Sequence, residues 1–154
     1  MMKVGDVMIK KVITVPYDAT YSEAARILYK SGISGAPVID SEKNLVGIIS
    51  EKDLFKVLFP FYDSFYKHPE NYTDFENREN KVDEIKDKKI SNFISVKVIS
   101  VKVDDPIMKA GGLMLAHSYH RLPVIEQGKL KGIVTREEVF EAVLKKHLKL
   151  RRFF

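Results

Sequence analysis

Two short stretches hold the side chains best placed to bind a ligand. In Gly47-Ile-Ile-Ser-Glu-Lys-Asp53 an apolar run ends at the hydroxyl of Ser50, and the carboxylate of Asp53 follows three residues later. Gly132-Ile-Val-Thr-Arg-Glu-Glu138 repeats the construction with Thr135 and Glu138. A strand that delivers a hydroxyl and an acid to the start of a helix builds a polar site where backbone N–H groups lack partners, which suits an anion or a sugar. The same spacing also defines a capping box, Ser or Thr followed three residues on by Glu or Gln. Thr135 and Glu138 fit that box. Aspartate is expected to be short for the reach back to the cap N–H, which would leave Asp53 to accept hydrogen bonds from a ribose diol. Helix cap and ligand site both stand as readings of these elements.

A third stretch, Tyr119-His-Arg-Leu-Pro-Val124, offers a cationic grip. Arginine suits bidentate recognition of phosphate, and the neighbouring imidazole of His120 can add a donor to Arg121. The corresponding place earlier in the chain reads Ile33-Ser-Gly-Ala-Pro-Val38, small and uncharged, with room for a flat base. Reactive chemistry is not indicated. The chain has no cysteine, and its four histidines, His68, His117, His120 and His147, lack metal-ligand spacing of the H-E-x-x-H kind. There is no G-x-S-x-G elbow and no phosphate-binding G-x-x-x-x-G-K-[ST] loop. No enzyme activity, no metal and no cofactor are expected.

The elements that must position these residues come as two copies of one unit. Val12-Ile-Thr-Val15 matches Val98-Ile-Ser-Val101, Ala24 matches Ala110, Leu28 matches Met114, and Pro37-Val-Ile39 matches Pro123-Val-Ile125, all 86 residues apart. Beyond a one-residue loop difference the offset is 85, which carries Gly47 to Gly132 and Ser50 to Thr135. Each copy reads strand, helix, strand, strand, helix. The first has short strands at 12–15, 37–40 and 45–49. Its first helix is opened by the box Thr20-Tyr-Ser-Glu23 and stopped by Gly32, and a second helix runs from Ser50 to about Leu58. In the second copy Asp105-Pro106 is expected to cap the helix with proline at its first position. Gly111 and Gly112 fall inside that helix, where close backbone packing is the expected reason.

The division expected is repeat 1 over 1–58, an inter-repeat segment over 59–89, and repeat 2 over 90–150. The segment is rich in aromatics, with seven of the chain's 16 between Phe59 and Phe75. Disordered linkers are poor in such residues, so it is expected to fold against the core, or to serve as a dimer surface or ligand lid. The chain has 154 residues, is 45% hydrophobic and carries a net charge of +5. That charge is modest for a nucleic-acid binder, although basic residues crowd the C-terminal end. No apolar run is long enough to span a membrane and Met1 to Lys11 lacks a signal-peptide core, so a cytoplasmic protein with no membrane or nucleic-acid partner is expected.

These motifs, V-I-T-V…G-I-S-G-A-P-V-I-D…L-V-G-I-I-S-E-K-D-L and V-I-S-V…Y-H-R-L-P-V-I-E…L-K-G-I-V-T-R-E-E-V, resemble a tandem pair of CBS domains, a Bateman module. The resemblance covers nearly the whole chain apart from about thirty residues between the repeats and the last few. With no other domain attached, the chain is similar to the stand-alone CBS-pair proteins. The resemblance implies an α/β fold of two β-α-β-β-α repeats packed about a pseudo-twofold axis, with clefts that bind an adenosine nucleotide, AMP, ADP or ATP, as a regulatory ligand. Asp53 would hold the ribose with Ser50 beside it, while Ile13, Ile33, Ser34, Gly35 and Ala36 would line the adenine pocket. His120 and Arg121 would take the phosphates, as in the His-Arg-Leu-Pro motif of the AMP-sensing kinase's γ subunit, with Thr135 nearby. A second, weaker site would use Ile99, Tyr119, Leu122, Thr135 and Glu138, where Glu replaces the expected Asp and the opposing loop lacks a His-Arg pair. One good site per chain, a homodimer and an unidentified regulated protein partner are therefore expected. An S-adenosylmethionine-binding pair and a ligand-free oligomerisation scaffold are the alternatives.

Overall fold

In a computed structural model of the chain, residues 1–59 and 75–150 are described. Residues 60–74, which carry most of the aromatic-rich segment, and residues 151–154 lie outside them. The described residues form six α-helices and two three-stranded sheets. In chain order they are α1 (Val4–Val7), β1 (Val15–Pro16), α2 (Tyr21–Ser31), β2 (Gly35–Ile39), β3 (Leu45–Ser50), α3 (Glu51–Lys56) and α4 (Phe75–Ile85). After a 3₁₀ turn at Ile90–Asn92 follow β4 (Val101–Lys102), α5 (Ile107–His117), β5 (Arg121–Glu126), β6 (Lys129–Thr135) and α6 (Arg136–Leu148). Among the described residues no helix is long and apolar enough to cross a membrane.

Both repeats fold as β-α-β-β-α. The sheet orders are β1-β2-β3 and β4-β5-β6. β1 pairs parallel to β2 with Val15 opposite Val38, and β4 pairs parallel to β5 with Val101 opposite Val124. A parallel pair needs a crossover, which α2 and α5 supply. β5 and β6 then pair antiparallel. The first strand is shorter than its β-branched run suggests, because the ladder begins only at Val15.

Local sequence explains most of the helix ends. At α2 the Glu23 N–H donates to Thr20 Oγ1 (3.2 Å), the Thr20 N–H donates to Glu23 Oε2 (3.1 Å), and Gly32 closes the helix at φ 63°. The start of α5 departs from expectation. Pro106 is the N-cap in an extended conformation, the helix begins at Ile107, and no side chain caps it. The Asp105 carboxylate instead accepts the Lys102 N–H (2.8 Å) and pairs with Lys109 (3.2 Å). The hydrogen bond from Lys102 first, and Lys109 beside it, hold that carboxyl below the usual range. The expected close packing at the two glycines of α5 holds for one of them. A Cβ at Gly111 would lie 3.4 Å from Val139 Cγ1, whereas one at Gly112 would meet nothing within 4 Å.

The chain divides into two compact units that cut across the sequence repeats. One contains Ile13–Ser41 and Val46–Val98, and the other Met1–Val12, Glu42–Leu45 and Ile99–Phe154. The first core gathers Val15, Tyr21, Ala24, Leu28, Ala36, Val38, Ile49, Leu54 and Ile90, with Ala19 and Ile85 added. The second gathers Val101, Ile107, Ala110, Met114, Leu122, Val124, Val134, Val139 and Val4. Every buried residue of the second core has a repeat-equivalent in the first. Val4 and Ile90 are themselves 86 residues apart, so the segment leading into each repeat fills the core of the other unit. Tyr21 brings a hydroxyl into its core and donates it to the Leu54 carbonyl (2.6 Å), and burial pushes the phenol's pKa up.

The leading segments also extend the sheets by single bridges. Ile9 exchanges backbone hydrogen bonds with Ile133 (2.8 and 3.0 Å), and Ser95 exchanges them with Ile48 (3.1 and 3.2 Å). These crossings explain the glycines that open the two motif stretches. A Cβ on Gly132 would lie 2.6 Å from the Ile9 carbonyl oxygen, and one on Gly47 would lie 2.8 Å from that of Ser95.

Candidate functional site

In the unit of the first sheet, the end of β3 delivers Ser50 and Asp53 to the start of α3. The Asp53 N–H donates to Ser50 Oγ (3.2 Å), while Asp53 Oδ2 accepts both the Ser50 N–H (2.9 Å) and the Ser50 hydroxyl (2.9 Å). The expectation that aspartate is too short for the reach back is overturned. Because Ser50 is extended at the cap (φ −129°, ψ 162°), its N–H already points over the first helical turn, within reach of the shorter acid. One carboxylate oxygen accepts both bonds from Ser50. Asp53 Oδ1 accepts no hydrogen bond from the described residues.

Small residues bring β2 against this cap. The Glu51 N–H donates to the Ser34 carbonyl (2.8 Å), and a Cβ on Gly35 would approach the Ile49 carbonyl to 3.2 Å and Ser50 Cβ to 3.5 Å. Ser34, Gly35, Ser50, Glu51 and Asp53 are therefore one cluster. Ala36 is buried in the core and Ile33 packs on its edge, so they shape the neighbourhood. Ile13 belongs to the same unit and is 46% exposed.

The unit of the second sheet repeats the geometry with different chemistry. The Arg136 N–H donates to the His120 carbonyl (3.0 Å), the counterpart of the bond between Glu51 and Ser34. Arg121 lies directly across from Thr135 in the β5–β6 ladder, which puts their side chains on one face. Thr135 and Glu138 form the expected box, with the Thr135 N–H on Glu138 Oε2 (3.1 Å) and the Glu138 N–H on Thr135 Oγ1 (3.4 Å). Unlike Ser50, Thr135 does not donate its hydroxyl to its acid. The Arg136 guanidinium lies against the ring nitrogens of His120, with Nη2 3.2 Å from Nε2. His120, Arg121 and Arg136 are all exposed, and among the described residues neither arginine forms an ion pair.

Of the residues expected for the weaker site, Leu122 is buried in the core at 1% exposure and Ile99 packs on the edge of that core. Tyr119 is half-exposed, with its ring stacked on His117 at 5.8 Å. The residue missed from sequence is Arg136. The signal was available: position 136 is the repeat-equivalent of Glu51, so the second copy carries a guanidinium beside the His-Arg pair where the first carries an acid.

Two β-α-β-β-α units, each ending its third strand in a hydroxyl that caps a helix, define a duplicated α/β architecture. The CBS domain family matches residues 4–60 and 90–145, and the chain belongs to that family. An uncharacterized protein of Methanocaldococcus jannaschii is 33% identical over 94% of this chain and 92% of its own length. The structure of CBSX2, a CBS-pair protein of Arabidopsis thaliana, in complex with AMP is 27% identical with a TM-score of 0.69, over 94% of this chain and 97% of that one. The CBS domain pair of protein MJ0100, in complex with 5′-methylthioadenosine and S-adenosyl-L-methionine, is 27% identical with a TM-score of 0.66, over 94% of this chain and 98% of that one.

Proposed function

We propose that this CBS pair is a non-enzymatic regulatory module that binds one adenosine nucleotide per chain, AMP, ADP or ATP. Asp53 takes the ribose hydroxyls, the small residues Ser34 and Gly35 leave room for the base, and His120 and Arg121 take the phosphates beside Thr135. The asymmetry of the two clusters carries this reading. Among the described residues, one unit offers a carboxylate oxygen that accepts no hydrogen bond, beside small residues, and the other offers exposed arginines without ion pairs. The AMP complex of CBSX2 supports the choice of ligand. Occupancy favours the arrangement that binds, and so changes the surface shown to a protein partner. A ligand at about 100 times its Kd stabilises the fold by about 2.7 kcal/mol. The melting temperature should therefore rise by about 5–10 °C in millimolar AMP, ADP or ATP. The absence of any shift sinks the proposal.

S-adenosylmethionine is the competing ligand, since the MJ0100 pair was crystallised with it. It shares adenine and ribose but brings a sulfonium cation, which Arg121 repels. Competition against AMP separates the two.

A homodimer is the proposed working form. Tyr29 and Leu115 are repeat-equivalent and 86% and 72% exposed, and Phe55 and Phe140 are repeat-equivalent and 63% and 65% exposed. Scattered exposed apolar residues need no explanation, but matched ones in both repeats suit an isologous contact with a second copy. Tyr29 and Phe55 also line a shallow apolar groove of about 180 Å³ between α2 and α3. The double variant Phe55→Glu, Phe140→Glu should run as a monomer in light scattering with its melting temperature little changed. A dimer that persists rejects this surface.

A further inference from the structure

Resting on the adenosine reading, we propose that Arg136 and its counterpart Glu51 decide which cluster takes the phosphates and how many phosphates the ligand carries. Both residues are the first of their helix, and both have their N–H held by the carbonyl of the equivalent loop residue, Ser34 at 2.8 Å and His120 at 3.0 Å. Their side chains therefore leave the backbone from the same place in the two units. One is an acid and the other a guanidinium. An anionic group approaching the first place meets Glu51 and Asp53 and is repelled. Approaching the second, it meets His120, Arg121 and Arg136.

The second cluster is over-provisioned for a single phosphate. A phosphate monoester carries about two negative charges, and one bidentate arginine with an imidazole satisfies it. Here a second guanidinium is held against the imidazole, and among the described residues it has no carboxylate partner. The nearby acids do not supply one. Glu138 is engaged by the Thr135 N–H, and Glu137 pairs with neither arginine among the described residues. Arg136 lies against His120 while Arg121 lies across from Thr135, so an anion that engages both guanidinium groups needs more than one phosphate group. A diphosphate or triphosphate engages both; a monophosphate reaches one of them. The geometry points to a polyphosphate-selecting cluster, with Arg136 as the residue that selects.

The test is calorimetric titration of adenosine, AMP, ADP and ATP into wild type, Arg136→Gln, Glu51→Gln and Glu51→Arg. Wild type is expected to bind ADP more tightly than AMP and AMP more tightly than adenosine, at one ligand per chain. Arg136→Gln should reduce the AMP-to-ADP gain by about tenfold, the value of one charge-assisted contact, while leaving adenosine unchanged. Equal weakening of adenosine and ADP, or an unchanged AMP-to-ADP ratio, overturns the role of Arg136. Glu51→Arg should raise the stoichiometry of ATP towards two per chain, and Glu51→Gln should do so more weakly. A stoichiometry of one in both overturns the role of Glu51. Should wild type bind none of the four, the adenosine reading fails by itself, and inorganic pyrophosphate then tests the cluster alone. A thermal shift with pyrophosphate in wild type but not in Arg136→Gln keeps the polyphosphate cluster. No shift in either removes it.

Discussion

Gly132→Ala should melt about 6–12 °C below wild type, the largest stability effect expected of any single methyl group in this chain. The added Cβ would lie 2.6 Å from the Ile9 carbonyl oxygen and 3.1 Å from Met8 Sδ. The thioether can swing aside, but the carbonyl cannot, because it accepts the Ile133 N–H (3.0 Å) while the Ile9 N–H is held by the Ile133 carbonyl (2.8 Å). Relief requires breaking that bridge and lifting the leading segment, whose Val4 fills the core. Overpacking of this kind costs about 3 kcal/mol. Gly47→Ala meets the Ser95 carbonyl at 2.8 Å and should behave alike, with a somewhat smaller loss. Gly112→Ala is the control of opposite sign. It lies inside α5 with open space around it, so removing a helical glycine should add about 0.5–1 kcal/mol. Calorimetry on the three variants tests the crossing. A Gly132→Ala protein that melts with wild type would mean that the leading segment does not lie across β6.

Much of this architecture was legible because a duplication lets the chain be read against itself. The offsets of 86 and 85 paired the elements, and the capping boxes at Thr20 and Thr135 were explicit in local sequence. The exchange of leading segments was not legible. Val4 stands in a short apolar-rich lead and Ile90 follows a charged run, and periodicity says nothing about which unit such a leading segment enters. Gly47 and Gly132 were visible as matched glycines, but only the tertiary arrangement shows what approaches them. The candidate clusters divide in the same way. Residue types and spacing point to Ser50, Asp53, His120, Arg121 and Thr135, whereas the reach of Asp53 is not legible in sequence, because it depends on the backbone angles of Ser50. Arg136 is not legible from the hydroxyl-and-acid spacing, because that motif leaves the residue between them unspecified.

Removing Asp53 should cost two things at once, and comparison with Glu138 separates them. Asp53 Oδ2 serves the cap, through the Ser50 N–H and hydroxyl, while Oδ1 accepts nothing from the described residues. Asp53→Ala should therefore lose about 1 kcal/mol of stability with the cap. It should also lose about a hundredfold in nucleotide affinity, since hydrogen bonds to a carboxylate contribute about 1.5–3 kcal/mol each and tenfold in affinity is about 1.4 kcal/mol. Glu138→Ala removes the equivalent cap on Thr135 and should match that stability loss while binding nucleotide within about twofold of wild type, since the proposed phosphate ligands, His120 and Arg121, form no hydrogen bond with it. Arg121→Ala is the converse. Its guanidinium is exposed and has no ion pair among the described residues, so the melting temperature should hold while affinity falls at least about tenfold. Stability and affinity measured on the three variants distinguish a cap from a binding site. If Asp53→Ala and Glu138→Ala behave identically on both, then the two hydroxyl-and-acid elements are helix caps alike, and the nucleotide binds elsewhere.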